Sequence, residues 1–508
     1  MIKKMRFLIL SAIVALCGCS SVETSSPTHN TADCVAQIKE WRSLNASSNL
    51  PEKYASLHVI DTHNHDANSY EVSLPLWDKF HIEQVTLLGH VSRETSVLTD
   101  ELAWKAYSEH PDRIFPYFSG INIFEQEGID KTRENLEKGF MGIGELATSS
   151  TSPIIQTAEW KADDAMDGKL PEIYEMAGKY KVPVLVHNDL KVEKLEEALD
   201  TFPKTKFIFG HPNVTNSPEQ IDELMKNHPN LFFDMFAGYT AYNSRDPYEL
   251  KDYVDVIEKY PNRVFLSTDS GIELKYEDAM TALYELIDLL SPETACKVSH
   301  ENFLKIMNEQ PVTSTQRERI KDLAVKLGIS YKMPETKHGA NKLIFELTQR
   351  TSGNTDTNVQ NRHVPAVDSV NSKEIGKLSE ADIVAISRDL LTKLNERLWS
   401  KDAMVKARDD WDDYYKELFF PEALSSAAQA SYQNLPELNS YEYKRPSFQN
   451  EEVKSKADFF VYTGEMNEVL KNSQGESPFL TLYRVWIRRD SDTKSYKIEK
   501  LLGVDIKR

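Results

Sequence analysis

Eight short apolar runs, spaced like the strands of repeating βα units, constrain this chain more than anything else in it. They are Leu57–Asp61, Ile82–Leu88, Ile114–Ile121, Phe140–Glu145, Val182–Val186, Lys206–Phe209, Leu231–Met235 and Val264–Ser267, and successive starts lie between 24 and 42 residues apart. One βα unit of a closed barrel takes roughly 30 residues. Amphipathic stretches such as Leu195 to Phe202 and Pro218 to Asn227 separate the runs. Continuous apolar runs, rather than strict alternation, suit parallel strands covered on both faces. The expectation is an α/β chain built on a (β/α)8 TIM-like barrel. An open doubly wound sheet is the alternative, but no Gly-x-Gly-x-x-Gly follows the first run.

Helices over Tyr276 to Leu290 and His300 to Met307 are expected to close the barrel, and residues 315–349 read as helices packed outside it. The barrel with these trailing helices spans 57–349. Thr351 to Ser369 carries Gly, Asn, Thr, Pro and Ser with few apolar residues, so a linker is placed at 350–371. A separate C-terminal α+β domain then covers 372–508. Its first half reads as helices, with Ile383 to Leu398 the clearest, and Phe479 to Val504 alternates around Asp490-Ser491-Asp492 as a long hairpin does. No catalytic motif stands out there.

The ends of the apolar runs carry side chains of metal-ligand type. They are His63 and His65 in Val-Ile-Asp-Thr-His-Asn-His, Glu145 in Gly-Ile-Gly-Glu-Leu, His187 in Val-Pro-Val-Leu-Val-His, His211 in Phe-Ile-Phe-Gly-His and Asp269 in Val-Phe-Leu-Ser-Thr-Asp. Barrel enzymes keep their sites at the C-terminal ends of the strands. Residues i and i+2 of an extended segment point the same way, so His63 and His65 can grip one ion, and Asp61 can orient one of them. Gly142 and Gly144 permit close backbone approach beside Glu145. Taken singly, each position has a plainer reading. A histidine at a strand end is commonly a hydrogen-bonded structural residue, Glu145 a solvated carboxylate, and Asp269 a turn or N-cap residue. His63-Asn64-His65 also spells a nuclease motif, without the hairpin-and-helix context that motif requires. Six such coincidences at once are harder to accept than one metal site.

The N-terminus reads as an export signal. Lys3, Lys4 and Arg6 precede an apolar stretch from Phe7 to Leu16, far shorter than the roughly 20 residues of a spanning helix. Leu16-Cys17-Gly18-Cys19 resembles the lipobox of bacterial lipoproteins. That resemblance implies removal of residues 1–18, a diacylglycerol thioether on Cys19 and anchoring in the bacterial cell envelope; an ordinary secretory signal is the alternative. Residues 19–56 then form the lipidated N-terminal segment, with Ser20 to Ala32 as a flexible tether. In a Gram-negative cell, Ser20 would favour the outer membrane.

Removing residues 1–18 deletes three positive charges, so the net charge goes from −19 to −22. Such an acidic chain, with no concentrated basic run, makes nucleic acid an unlikely partner. Of four cysteines, Cys34 and Cys296 remain after processing and lipidation. They can pair in an exported protein, but two inert thiols fit the sequence at least as well.

The stretch from about 57 to 312 resembles the amidohydrolase superfamily, particularly its amidohydrolase-2 type members. Val-Ile-Asp-Thr-His-Asn-His, Phe-Pro-Lys-Thr-Lys-Phe-Ile-Phe-Gly-His-Pro, Pro-Asn-Arg-Val-Phe-Leu-Ser-Thr-Asp-Ser and Glu301-Asn302-Phe303-Leu304-Lys305-Ile306 carry the likeness. It implies His63, His65 and Asp269 on one divalent ion, His187 and His211 on a second, and Glu145 bridging. Many binuclear members use a carboxylated lysine where this chain has Glu145, as TatD-type deoxyribonucleases and some other hydrolases also have. Mononuclear members use His63, His65, His187 and Asp269, leaving His211 for the bound water. Nitrogen and carboxylate donors suit Zn²⁺, with Mn²⁺, Fe²⁺ or Co²⁺ as alternatives.

The function expected from this is hydrolysis of a small-molecule amide, lactone, ester or phosphoester by metal-activated water, with Asp269 moving the proton. The rivals are a mononuclear decarboxylase of an aromatic acid, a TatD-like nuclease, and a non-catalytic envelope binding protein on a barrel scaffold. The loop Gly238 to Tyr248 is a candidate pocket wall. Arg245 within it could meet an anionic group, although a surface arginine is the slightly favoured reading.

Overall fold

The computed structural model describes residues 31–43, 49–271, 274–352, 373–398, 415–420, 442–472 and 475–506. The expected signal peptide, Cys19, the tether up to Asn30 and nearly all of the linker lie outside the described residues. The helix Thr31–Ser43 takes up the last two residues assigned to the tether.

Eight parallel strands pair in chain order: β1 Ile60–Asn64, β2 Gln84–Leu87, β3 Ile114–Phe118, β4 Gly142–Thr148, β5 Val184–Asn188, β6 Phe207–Phe209, β7 Leu231–Phe236 and β8 Val264–Ser267. β8 returns to β1, where the Thr62 hydroxyl donates to Leu266 O at 2.9 Å. This is a TIM barrel, and the open-sheet alternative falls. β5 is buried along its whole length, as a parallel strand covered by helices must be. Each fully buried aliphatic side chain of this kind stabilises the fold by about 1.5–3 kcal/mol relative to exposure.

The helix Pro218–Asn227 shows how local sequence sets the outer layer. Ser217 caps it in a reciprocal box with Gln220, Pro218 occupies the first turn, and Ile221, Leu224 and Met225 form its buried stripe. At the barrel wall, Gly144 has φ +114°, and a side chain there would run into Leu185 O of β5.

Several strands extend further toward their C-terminal ends than the apolar runs. β1 includes His63 and Asn64, β4 runs through Glu145 to Thr148, and β5 includes His187 and Asn188. The polar ends remain in the ladder, with Ala147 opposite His187 and Thr148 opposite Asn188. Hydrophobicity stops where the site begins, and strand pairing continues past it.

Cys34 and Cys296 form a disulfide, so the free-thiol reading is corrected. It ties the N-terminal helix to the helix Pro292–Cys296 that follows the barrel.

The C-terminal domain contains an antiparallel meander of β9 Glu442–Ser455, β10 Phe459–Asn472, β11 Gly475–Arg489 and β12 Tyr496–Ile506. The helix Glu380–Leu398 covers it through Ile386, Leu391 and Leu394, which share a core with Phe460, Val485 and Ile487. The expected hairpin is therefore half of a four-stranded sheet. β9 escaped notice because Glu442–Ser455 is rich in charged and polar residues, and its strand character comes from pairing with β10. Leu482, Leu502 and Val504 join the apolar core of the barrel, so the two parts share one packed boundary.

Candidate metal centre

All six candidate residues converge at the C-terminal mouth of the barrel, at the ends of β1, β4, β5, β6 and β8. His63 lies in β1, and His65 follows as the strand turns into the short 3₁₀ segment Asp66–Asn68. Their Nε2 atoms are 3.0 Å apart. His63 Nδ1 donates to Asp234 Oδ2 at 2.8 Å, and His65 Nδ1 donates to Gly89 O at 2.8 Å. A carboxylate and a carbonyl can only accept, so both Nδ1 atoms carry hydrogen. In neutral rings that leaves two Nε2 lone pairs facing one another.

Glu145 divides its oxygens. Oε2 lies 3.6 Å from His65 Nε2 and 3.8 Å from His63 Nε2, while Oε1 lies 3.0 Å from His187 Nδ1 and 3.2 Å from His211 Nε2. Asp269 Oδ1 is 3.3 Å from His65 Nε2, and Oδ2 is 4.0 Å from His211 Nε2. The far side of His187 is held by Ser150 Oγ at 2.7 Å and Asp189 Oδ2 at 3.0 Å, leaving Nδ1 as the atom turned to Glu145. His211 and Asp269 both have left-handed backbone, at φ 37° and 46°. That conformation is uncommon for residues with side chains and marks sites where the surroundings impose it.

Asp234 was not among the expected site residues. It is fully buried in β7, with one oxygen on His63 Nδ1 and the other accepting from the His211 main-chain N–H. A lone carboxylate inside Leu-Phe-Phe-Asp-Met-Phe is the signal that could have found it. Asp61, expected to orient a histidine ring, instead receives the Thr268 N–H and hydroxyl and the Asn64 amide, so it fixes main chain at the β1–β8 seam. Ser150 and Asp189 also act on the cluster without having been singled out.

The electrostatics call for added positive charge. Burial opposes the His63 imidazolium, yet Asp234, Glu145 and Asp269 outweigh it and push the ring up to about 10. Burial likewise opposes charge on His187, but Glu145 and Asp189 raise it to about 10. Burial would raise Glu145, whereas His187 and His63 hold it well below the ordinary carboxylate range. Asp269 is also held below its usual value, against burial, by His63, His65 and His211.

A divalent cation fits this set. The donors fall into three groups, His63–His65–Glu145, His63–His211–Asp269 and Glu145–His187–His211, each with its ligand atoms within 4.8 Å of one another. Asp269 Oδ1 is buried without a hydrogen-bond partner, and the Nε2 atoms of His63 and His65 face one another at 3.0 Å, where a proton or a metal cation can sit. Nitrogen and oxygen donors of this kind suit zinc and similar ions.

Above the cluster opens a pocket of about 530 Å³ whose walls include Val91, Pro153, Ile155, Val214, Phe236 and Tyr239. Tyr239 is the one member of the expected wall Gly238 to Tyr248 that lines it. Arg245 lies exposed and off the pocket lining, as the surface reading held.

An eight-stranded barrel carrying histidines and carboxylates at its strand ends defines a TIM-barrel protein with a candidate metal centre. Residues 66–306, nearly the whole barrel, match the amidohydrolase family model, Amidohydro_2. His63 and His65 lie just before the matched span. No curated protein matches the chain. A probable 2-pyrone-4,6-dicarboxylic acid hydrolase from Acinetobacter baumannii is similar at 11% identity, over 49% of this chain and 99% of that one, with a TM-score of 0.36. An amidohydrolase 2 from Bifidobacterium longum subsp. infantis is similar at 15% identity, over 49% and 98%, with a TM-score of 0.33. A CaMKII hub from S. rosetta is similar at 13% identity over 23% of this chain and 95% of that chain, with a TM-score of 0.16. The likeness to the family rests on the family model.

Proposed function

We propose that the barrel is a metal-dependent hydrolase whose donor set would hold two divalent ions, zinc by donor type, with Glu145 shared between them. The observation that carries this is the division of the Glu145 carboxylate, one oxygen toward His63 and His65 and the other toward His187 and His211. When bound, such ions supply Lewis acidity and lower the pKa of a water to about 7.

The side chains of the chain do the rest. Asp234 and Gly89 O set the tautomers of His63 and His65, and Asp189 with Ser150 sets that of His187. Asp269, with Oδ1 unpartnered and its carboxyl held below the usual range, is placed to accept a proton from the attacking water and deliver it to the leaving group. The apolar walls favour a substrate with an apolar body. The substrate is a small molecule with an amide, lactone, ester or phosphoester bond.

The family includes hydrolases and decarboxylases. The test is to strip the protein with chelator, reload it with Zn²⁺, Mn²⁺ or Co²⁺, and assay lactones, esters, amides and phosphoesters beside aromatic acids. Hydrolysis that returns with metal and is lost in Asp269→Asn supports the proposal. Carbon dioxide release from an aromatic acid, with no hydrolysis, overturns it.

We also propose that the mature protein is exported and lipid-anchored at Cys19 on the cell envelope. The N-terminal sequence supports this, and so does the Cys34–Cys296 disulfide, since such bonds persist in oxidising compartments. Among the described residues no helix is long and apolar enough to cross a membrane. Mass analysis of the mature N-terminus tests it, and an unmodified Cys19 contradicts it.

A further inference from the structure

Among the described residues, one permanently cationic side chain lines the pocket, Arg93, in the loop after β2. Its Nε reaches Val91 O at 3.4 Å and its Nη2 donates to Ile154 O at 2.9 Å. A guanidinium has five N–H donors, and these two carbonyl contacts leave Arg93 with donors to spare. It is half-buried, beside apolar walls that weaken the competition from water.

The next residue in the chain is tied to the C-terminal domain. Glu94 Oε1 receives Lys500 Nζ of β12 at 2.8 Å, and the same ammonium lies 5.3 Å from the Trp486 ring centre on β11. The helix after this loop, Ser96–Glu109, is gripped again where Arg484 of β11 meets Glu101 at 2.5 Å. β12 also reaches the loop after β1, where the Asn68 amide donates to Asp505 O at 2.9 Å, three residues beyond His65. Leu482, Leu502 and Val504 make the contact apolar beneath these polar ties.

We propose that the C-terminal sheet is a working part of the active site: it clamps the β2 loop so that Arg93 binds an anionic group of the substrate. The substrate class is therefore narrowed to compounds with an apolar body and a carboxylate or comparable anion away from the scissile bond. A guanidinium fork matches a carboxylate in two parallel hydrogen bonds, which gives orientation as well as affinity. Lys500 is a positioning residue, acting through Glu94 on the loop that carries Arg93.

The word substrate rests on the hydrolase reading, so the test uses binding, which needs no turnover. The zinc-loaded full chain is titrated calorimetrically with 4-carbamoylbenzoate and with 4-methylbenzamide, which differ in one anionic group. The wild type is expected to favour the anion about tenfold, and Arg93→Ala to remove that preference by weakening the anion alone. Lys500→Ala is expected to weaken the anion about threefold with metal content and neutral-probe affinity unchanged, and Lys500→Arg to restore it. Equal affinities in the wild type, no binding of either probe at millimolar concentration, or equal loss of both in Arg93→Ala overturns the anion subsite. An unchanged anion preference in Lys500→Ala overturns the clamp. An anion preference without hydrolysis of any candidate bond fails the hydrolase reading alone.

Discussion

His63 and Asp234 form the buried contact on which the candidate metal centre is built: Nδ1 of the one donates to Oδ2 of the other at 2.8 Å, and neither side chain is exposed. The bond turns the His63 Nε2 lone pair toward His65 and Glu145, while the second Asp234 oxygen holds the main chain of His211. One carboxylate in β7 thus orients a donor on β1 and the loop that presents the donor after β6.

Removing that carboxylate should loosen the metal without unfolding the barrel. Asp234→Ala is expected to lower metal affinity about 10- to 100-fold, the usual cost of losing the partner of a ligating histidine. Competition with a calibrated chelator measures this, and an unchanged affinity contradicts the role given to Asp234.

Asp269 is expected to matter more for turnover than for binding. Asp269→Asn should keep the fold and much of the metal while lowering kcat about 10²- to 10⁴-fold, the range for a lost proton-transfer group. Rates are compared at matched metal content, and near-normal kcat refutes the assignment.

The barrel was legible because eight apolar runs recur at βα spacing, and the five strand ends that hold the six candidates were each marked by a polar residue closing a hydrophobic pattern. Asp234 was hidden because it sits inside such a pattern: Phe233 and Met235 on either side read as an ordinary strand. The supports of His187 were hidden for another reason. Ser150 and Asp189 lie in loops after β4 and β5, and only the closed barrel brings them together. β9 was illegible because its sequence is polar and its strand character comes from pairing with β10. The Cys34–Cys296 pairing spans 262 residues, a separation over which sequence carries no information on distance.

Stability should depend on pH through Asp100. Burial raises its carboxyl to about 7, although the main-chain N–H groups of Ser119 and Gly120 donate to it at 3.0 and 2.8 Å. A carboxyl whose folded value exceeds its unfolded one contributes fully below the unfolded value of about 4 and loses that contribution as pH rises through its folded value. Urea midpoints are therefore expected to fall between about pH 4 and pH 7 through this group, and Asp100→Asn to flatten that slope. An identical slope in the variant removes Asp100 as its source.

The disulfide should stabilise the chain without shaping the site. Cys34→Ser is expected to cost about 2–4 kcal/mol in unfolding free energy, with metal affinity unchanged, because the bond joins helices outside the strand-end cluster. Chemical denaturation with and without reductant measures it, and a wild type insensitive to reductant contradicts the expectation.

The central claim is that Glu145 bridges two ions, and metal content per chain tests it most directly. Elemental analysis of the protein lacking residues 1–19 is run beside Glu145→Ala. About two ions in the wild type, falling to one or fewer in the variant, is the result predicted for a bridged two-metal site. A single ion in both proteins contradicts it.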